Sequence, residues 1–125
     1  MQSIDVVKQY FEAFGRKDIP GMSRLMHEDY HFTGPAMEVR GKAQMEQVMK
    51  EFPFIAEDEG VELTGNGNVV VRRLNWHVKE PFEAVIPMCE WMVVEDGKIR
   101  SSNLYYDTGK FPEEFLKQMK AGQAA

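Results

Sequence analysis

The amino-acid sequence predicts one α+β domain in which helices cover one face of a curved, mostly antiparallel mixed sheet and leave a single pocket between the layers. Three observations carry that expectation. Apolar residues recur at helical spacing through the first part of the chain. From Val61 onward, long runs rich in β-branched and aromatic residues alternate with tight-turn residues. The length of 125 residues allows one real core and no second domain.

The first helix is predicted from Ile4, Val7, Phe11 and Phe14, with Tyr10 beside them and Gly15 as the stop. Ser3 or Asp5 can cap or charge its start. Asp18 caps a short second helix with Pro20 in its first turn, where a missing N–H does no harm. Ile19, Met22, Leu25 and Met26 give that helix one apolar face. His31-Phe32-Thr33 forms a short strand stopped by Gly34-Pro35, and Met37–Arg40 is its return. Gly41 opens a third helix, in which Met45, Val48, Met49 and Phe52 share a face until Pro53 ends it.

The remainder is mostly sheet. Val61–Thr64 passes through the turn Gly65-Asn66-Gly67 into a long strand, Val69–Val78. A turn near Glu80-Pro81 leads to Phe82–Val94, in which Pro87 marks an edge or a bulge. Glu95-Asp96-Gly97 turns the chain into Lys98–Tyr106. Phe111, Phe115 and Met119, with Pro112 ahead of them, make a C-terminal helix, and the last five residues are expected to fray.

Side chains alternate across a strand, so parity assigns faces. Val70, Leu74, Trp76 and Val78 form an apolar set with Arg72 among them, while Arg73, Asn75 and His77 form the other. In the next strand Cys89, Trp91 and Val93 share a face, and Met88, Glu90 and Met92 share its opposite. Both faces are too apolar for open water, and the helices can cover only one. The face assigned Leu74, Trp76 and Trp91 is therefore expected to meet a second copy in a two-fold dimer. Arg73, Asn75, His77 and Glu90 are assigned to the pocket.

The charge pattern is mixed, with a net charge of −5 and no basic run, which argues against a nucleic-acid or anionic-membrane surface. Cys89 is the only cysteine, so no internal disulfide can form and a reducing compartment suits the chain. No signal-peptide pattern opens the sequence, and no apolar run approaches the roughly 18 residues of a membrane span. A cytoplasmic protein is expected.

The run VVKQYFEAFGRKDIPGMSRLMHEDYHFTGP, from Val6 to Pro35, resembles the opening of a nuclear transport factor 2-like domain of the SnoaL-like kind. GNGNVVVRRLNW and EWMVVEDGKIRSSNLYYD resemble the last strands of the limonene-epoxide-hydrolase branch of that superfamily. The resemblance implies a cone-shaped domain with a deep pocket between helices and concave sheet, and dimers across the convex face. It also implies roles, position by position. The epoxide-hydrolase Arg-x-Asp motif falls on Arg73-Leu74-Asn75, with an amide in place of the acid, and the second acid falls at Leu104. The water-positioning Tyr and Asn of that branch fall near His31 and Thr33. Against ketosteroid isomerase, the tyrosine of the first helix matches Tyr10, the oxyanion-hole acid falls close to Glu90, and the general-base position is Gly34. Neither Asn nor Leu can exchange a proton at neutral pH, so the two-carboxylate route lacks both of its acids.

The candidate catalytic residues are accordingly Glu90, Tyr10, Arg73 and Asn75, with His31, Phe32, His77, Met88, Met92, Leu104 and Tyr106 lining the ligand. An Arg, an amide, an imidazole and a carboxyl converging in an apolar cavity suit proton transfer or anion binding. Alternatively, Arg73 and Glu90 form an ion pair across neighbouring strands with no catalytic duty. His27-Glu28-Asp29-Tyr30-His31 spells a zinc motif that works only on a continuous helix, and Gly34-Pro35 so close behind argues against one. Cys89 fits an inert thiol among apolar neighbours. No metal or cofactor is expected. The function expected is acid–base catalysis on a compact apolar metabolite, as an isomerase, cyclase or hydratase/hydrolase. The alternative is a binding or dimeric association protein, because Gly34, Asn75 and Leu104 stand where the related enzymes have acids.

Overall fold

The apolar stripe of the first helix becomes α1 (Ser3–Gly15), which buries Val6, Val7, Tyr10 and Ala13 in the computed structural model. That structure describes residues 1–124, with side chains through Met119. Asp5 accepts a hydrogen bond from the Gln2 N–H at 3.1 Å, which fixes the start of α1. The stop differs from expectation. Gly15 is the last helical residue, and Lys17, not glycine, takes the left-handed backbone at φ 56°. Asp18 then caps α2 (Ile19–Arg24), accepting the Gly21 N–H at 3.0 Å. This helix is shorter than its apolar face implied, because Met26 already belongs to β1 (Met26–Thr33).

β2 (Glu38–Arg40) returns along β1, with His31 opposite Arg40. Gly41 follows at φ 89° and opens α3 (Lys42–Lys50). The four long strands are β3 (Ile55–Asn66), β4 (Val69–Glu80), β5 (Ala84–Glu95) and β6 (Lys98–Tyr106). β3 is far longer than the predicted Val61–Thr64, and the hairpin turn sits at Gly67-Asn68 instead of being centred on Asn66. Asp96 and Gly97 both have positive φ, 54° and 73°, as the β5–β6 hairpin requires. A short 3-10 turn (Thr108–Lys110) leads to α4 (Glu113–Ala124). The residues expected to fray continue α4 as far as Ala124, and Ala125 lies outside the described residues.

The six strands form one sheet in the order β2-β1-β6-β5-β4-β3. Only the β1–β6 pair is parallel, so the sheet is mixed and mostly antiparallel. Pro87 pairs with Asn75 on β4, while the β6 ladder ends at the Met88–Tyr106 pair, so the proline sits where β5 is locally an edge. One core cluster lies under α1 and α2 around Val6, Val7, Tyr30, Val39, Met92 and Ile99. A second gathers Phe54, Leu74, Val78, Ile86 and Phe111, with Phe115 and Met119 of α4 against it. No helix among the described residues is long and apolar enough to cross a membrane.

Register corrects the predicted faces. Arg72 pairs with Glu90 and Leu74 with Met88, whereas Arg73 pairs with Cys89 and Val71 with Trp91. Residues directly opposite in an antiparallel pair share a face. The concave, helix-covered side therefore carries Arg72, Leu74 and Trp76 beside Met88, Glu90 and Met92. Arg73, Asn75 and His77 point outward with Cys89 and Trp91.

Candidate functional site

Between the concave sheet and α1, α3 and α4 lies a cavity of about 670 Å³. Its aromatic part is built from Phe52, Phe54, Trp76, Phe111 and Phe115, with ring centroids 4.9 to 6.4 Å apart, several of them edge to face. Its polar part is built on the middle of β4 and β5, where Arg72 and Glu90 share the cavity wall with Tyr10, Tyr30 and Asp58.

Glu90 is only 8% exposed. Burial pushes its carboxyl above the ordinary glutamate value; the Ser102 hydrogen bond and the Arg72 charge pull it back, and the charge of Asp58 pushes it up further. Desolvation is the largest of these, so the net shift is upward, toward the neutral acid. Ser102, itself buried behind the wall, donates its hydroxyl proton to Glu90 Oε2. Side-chain hydrogen bonding continues from Ser102 to Tyr30 and from Tyr30 to Tyr10. Burial, and then the nearby Glu90 charge, pushes the Tyr10 phenol well above its usual range, so it stays protonated.

Arg72 is held in place on two sides. Its Nη2 donates to Asp58 Oδ2 at 2.5 Å, and its guanidinium lies 3.7 Å from the centre of the Phe11 ring. Asp58 reaches the cavity because β3 is irregular there. The register slips between Glu59 and Glu62, where Gly60 adopts φ 60°, and such bulges re-aim side chains.

Of the residues singled out in the sequence, Tyr10, Phe32, Met88, Glu90, Leu104 and Tyr106 line the cavity. Leu74 and Trp76, expected on the convex face, line it too, and only Trp91 of that trio points outward. Met92 lies on the concave side but is sealed in the core under α1. Arg73, Asn75 and His77 are corrected to the outer face, where Arg73 Nη1 lies 3.9 Å from Glu62 and His77 lies 3.0 Å from Glu59. His31 alternates away from the cavity-lining Tyr30 and Phe32, with Nε2 3.5 Å from Glu38. The alternative Arg73–Glu90 pair is therefore not formed; Arg72 stands opposite Glu90 in the ladder and makes its ion pair with Asp58. The zinc-like motif lies on β1, an extended strand, which separates its two histidines far beyond a shared metal. His27 sits instead beside Glu95 and Asp96 on the surface.

Sequence reading missed Arg72, Asp58, Tyr30 and Ser102. Arg72 had a usable signal: an arginine inside the most apolar set of a strand is either partnered or functional. Asp58 had little, since Glu57-Asp58-Glu59-Gly60 looks like a charged loop until the bulge is seen.

A family model for the SnoaL-like domain matches residues 7–102, more than half of the chain. The chain belongs to the SnoaL-like family. No curated protein matches it in sequence. Among solved structures, a candidate polyketide cyclase from Pseudomonas putida KT2440 superposes with a TM-score of 0.79 at 19% identity, covering 94% of this chain and 98% of that one. An LEH-like epoxide hydrolase of M. tuberculosis gives 0.76 at 14% identity, covering 98% and 91%. TerC, co-crystallised with polyporic acid, gives 0.76 at 18% identity, covering 92% and 98%. At such identities these likenesses establish the nuclear transport factor 2-like fold. Within that fold, Asp58 and Glu90 bring two carboxyl groups to the cavity wall of this SnoaL-like chain.

Proposed function

We propose that this SnoaL-like protein is a cofactor-independent acid–base enzyme acting on a compact, mostly apolar molecule, as an isomerase, cyclase or hydratase/hydrolase. The observation that carries the reading is the Glu90 carboxyl, buried in the wall of an apolar cavity and pushed toward its neutral form. A general acid must hold its proton at working pH, and desolvation is how a carboxyl does so. Asp58 and Arg72 add an acid and a fixed cation that can orient a polar atom of the ligand, and Tyr10 adds a hydroxyl donor. The aromatic end suits a flat or cyclic hydrocarbon body. The cyclase and epoxide hydrolase named above lie within the same range of reactions.

Glu90→Gln is expected to lower turnover by at least about 100-fold while keeping the fold, the usual scale for a lost general acid. Wild-type turnover in that variant removes Glu90 from the chemistry. A second reading, a binding protein without catalysis, draws on the missing acids at Gly34, Asn75 and Leu104. Native mass spectrometry separates the two: a co-purified ligand that stays unchanged on incubation favours binding, and its conversion favours the enzyme. The same proposal places a second copy on the outer sheet face, where Trp91 is 48% and Tyr105 61% exposed. The lone Cys89 fits a reducing, cytoplasmic setting.

A further inference from the structure

Arg72 and Glu90 face each other across the β4–β5 ladder, yet no ion pair joins them among the described residues. Each is held by another group. Glu90 Oε2 accepts from Ser102, and Arg72 Nη2 donates to Asp58 Oδ2 at 2.5 Å. A guanidinium presents two edges, Nε with Nη2 and Nη1 with Nη2, and each edge offers two parallel N–H groups. Asp58 occupies one N–H of Nη2, so one of the edges keeps both of its donors without a partner among the described residues. Phe11 closes one face of the guanidinium at 3.7 Å, which fixes its plane. Neither Nε nor Nη1 is sealed from open space, and Arg72 borders the cavity, so the free donors open into it. A cation with 6% of its side chain exposed and unused donors is incomplete without an acceptor.

We infer that Arg72 determines the specificity of the cavity, and that its ligand is a flat ring acid whose carboxylate docks on the free guanidinium edge. This rests on the reading of the cavity as the active site and narrows its substrate from a mostly apolar molecule to an aryl or cyclic carboxylate. Two coplanar oxygens match two parallel N–H groups, which a single carbonyl or hydroxyl oxygen does not. Asp58 already balances the charge of Arg72, so the edge suits one further negative charge rather than a phosphate dianion. The ring has a defined place. Arg72, Leu74 and Trp76 follow one another on the concave face of β4 and all border the cavity. At strand spacing the first and last are about 13 Å apart, room for a carboxylate followed by two fused rings. The rings then lie against Leu74 and reach the aromatic end at Phe52, Phe54 and Trp76. Glu90, across the ladder from Arg72, faces the atoms beside the carboxylate, where its acid would act.

The probes are 2-naphthoate and 2-naphthamide, which share shape and ring system but differ in charge, titrated into the full chain by calorimetry at neutral pH. The wild-type protein is expected to bind the carboxylate about 10- to 100-fold more tightly than the amide, the scale of hydrogen bonds to a charged group. Arg72→Met is expected to bring the two dissociation constants within about threefold of each other, with the amide bound as in the wild type. Asp58→Asn still accepts the Arg72 hydrogen bond but no longer balances its charge, and is expected to tighten the carboxylate alone by about 3- to 10-fold. A wild-type protein that binds neither probe, or both equally, overturns the proposal, as does a carboxylate preference that survives Arg72→Met. If Arg72→Met does not fold, Asp58→Asn decides, and an unchanged carboxylate affinity there overturns the anchor. Glu90→Gln is expected to keep the preference within about threefold, because glutamine stands in for the neutral acid. A preference that instead rises sharply in Glu90→Gln shows an ionised Glu90 and overturns the reading of that residue as the acid, leaving Arg72 as the anchor.

Discussion

Arg72 and Arg73 follow one another on β4, yet 6% of the first side chain is exposed and 73% of the second. Arg72 has Asp58 at 2.5 Å, an aromatic ring 3.7 Å beneath its guanidinium and Glu90 across the ladder. Arg73 has one carboxylate at 3.9 Å on an open surface. The same side chain is therefore a fixed part of a cavity in one case and a solvated charge in the other, and one step of strand parity decides which. An exposed pair at that distance contributes little, whereas removing one partner of a buried pair strands the other.

The largest stability difference should follow from that contrast. Arg72→Met leaves Asp58 facing the cavity without its cation and is expected to cost about 1–3 kcal/mol, below the roughly 3–5 kcal/mol of a fully buried pair because Asp58 is partly solvated. Arg73→Met should stay within about 0.5 kcal/mol. Urea unfolding of both variants at neutral pH makes the comparison, and equal losses would mean that the two faces are not as different as their exposure implies.

The pH dependence sharpens it next. Burial lifts Glu90 above its ordinary 4.5, so just above that pH the folded protein keeps a proton that the unfolded chain has lost. Stability contributed by the neutral carboxyl is present at low pH and falls as pH rises through the raised value. On the outer face His77 is also raised, from 6.5, because Glu59 and Glu83 accept its ring hydrogen bonds. Its contribution is complete below 6.5 and is lost as pH climbs through its own raised value. Both slopes have the same sign but begin at different pH, above 4.5 for Glu90 and above 6.5 for His77. Glu90→Gln should flatten the slope beginning above pH 4.5, and His77→Gln the one beginning above pH 6.5. Unfolding midpoints measured across that range would show a single undivided slope if only one of the two groups were responsible.

The outer face offers a smaller, reversible effect. Trp91→Glu should shift the sedimenting species from two chains to one, without touching the cavity, because Trp91 pairs with Val71 on the side away from Glu90. An unchanged mass distribution would remove this face from the association.

How far the sequence could take this reading follows from the same parity. Helix starts at Asp18 and Gly41 and the turn at Asp96-Gly97 are local events, decided by residues a few positions apart, and they are legible. Which set of β4 side chains faces inward depends on its register with β5, a contact between distant residues that no short window records. Hydrophobicity favoured the even set for the interior, since Val70, Leu74 and Val78 are buried. Giving the tryptophan-bearing set to a dimer interface overrode that signal. Glu90 and Tyr10 survived because each was placed by its own element. Asp58 and the Tyr30–Ser102 link were hidden, the first by a bulge and the second by a parallel pairing of β1 with β6 that sets Phe32 opposite Ser102 and so brings Tyr30, two residues before Phe32, to the same face.

Asn75→Asp tests that lesson most directly, although its effect should be the smallest. It restores the acid of the Arg-x-Asp motif to which Arg73-Leu74-Asn75 was compared. If the motif were the active centre, the change would create or raise hydrolytic activity toward small epoxides. On the observed register the new carboxylate instead faces outward, paired across the ladder with Glu59 on one side and Pro87 on the other. The expected outcome is no gain in epoxide opening and a loss of about 0.2–1 kcal/mol from placing like charges opposite one another. A gain in epoxide hydrolysis would show that Asn75 reaches the ligand after all, and the inward side of β4 would have to be reassigned. With the expected loss and no activity, the chemistry stays with Glu90, Arg72 and Asp58, whose positions in the sequence match no acid of that motif.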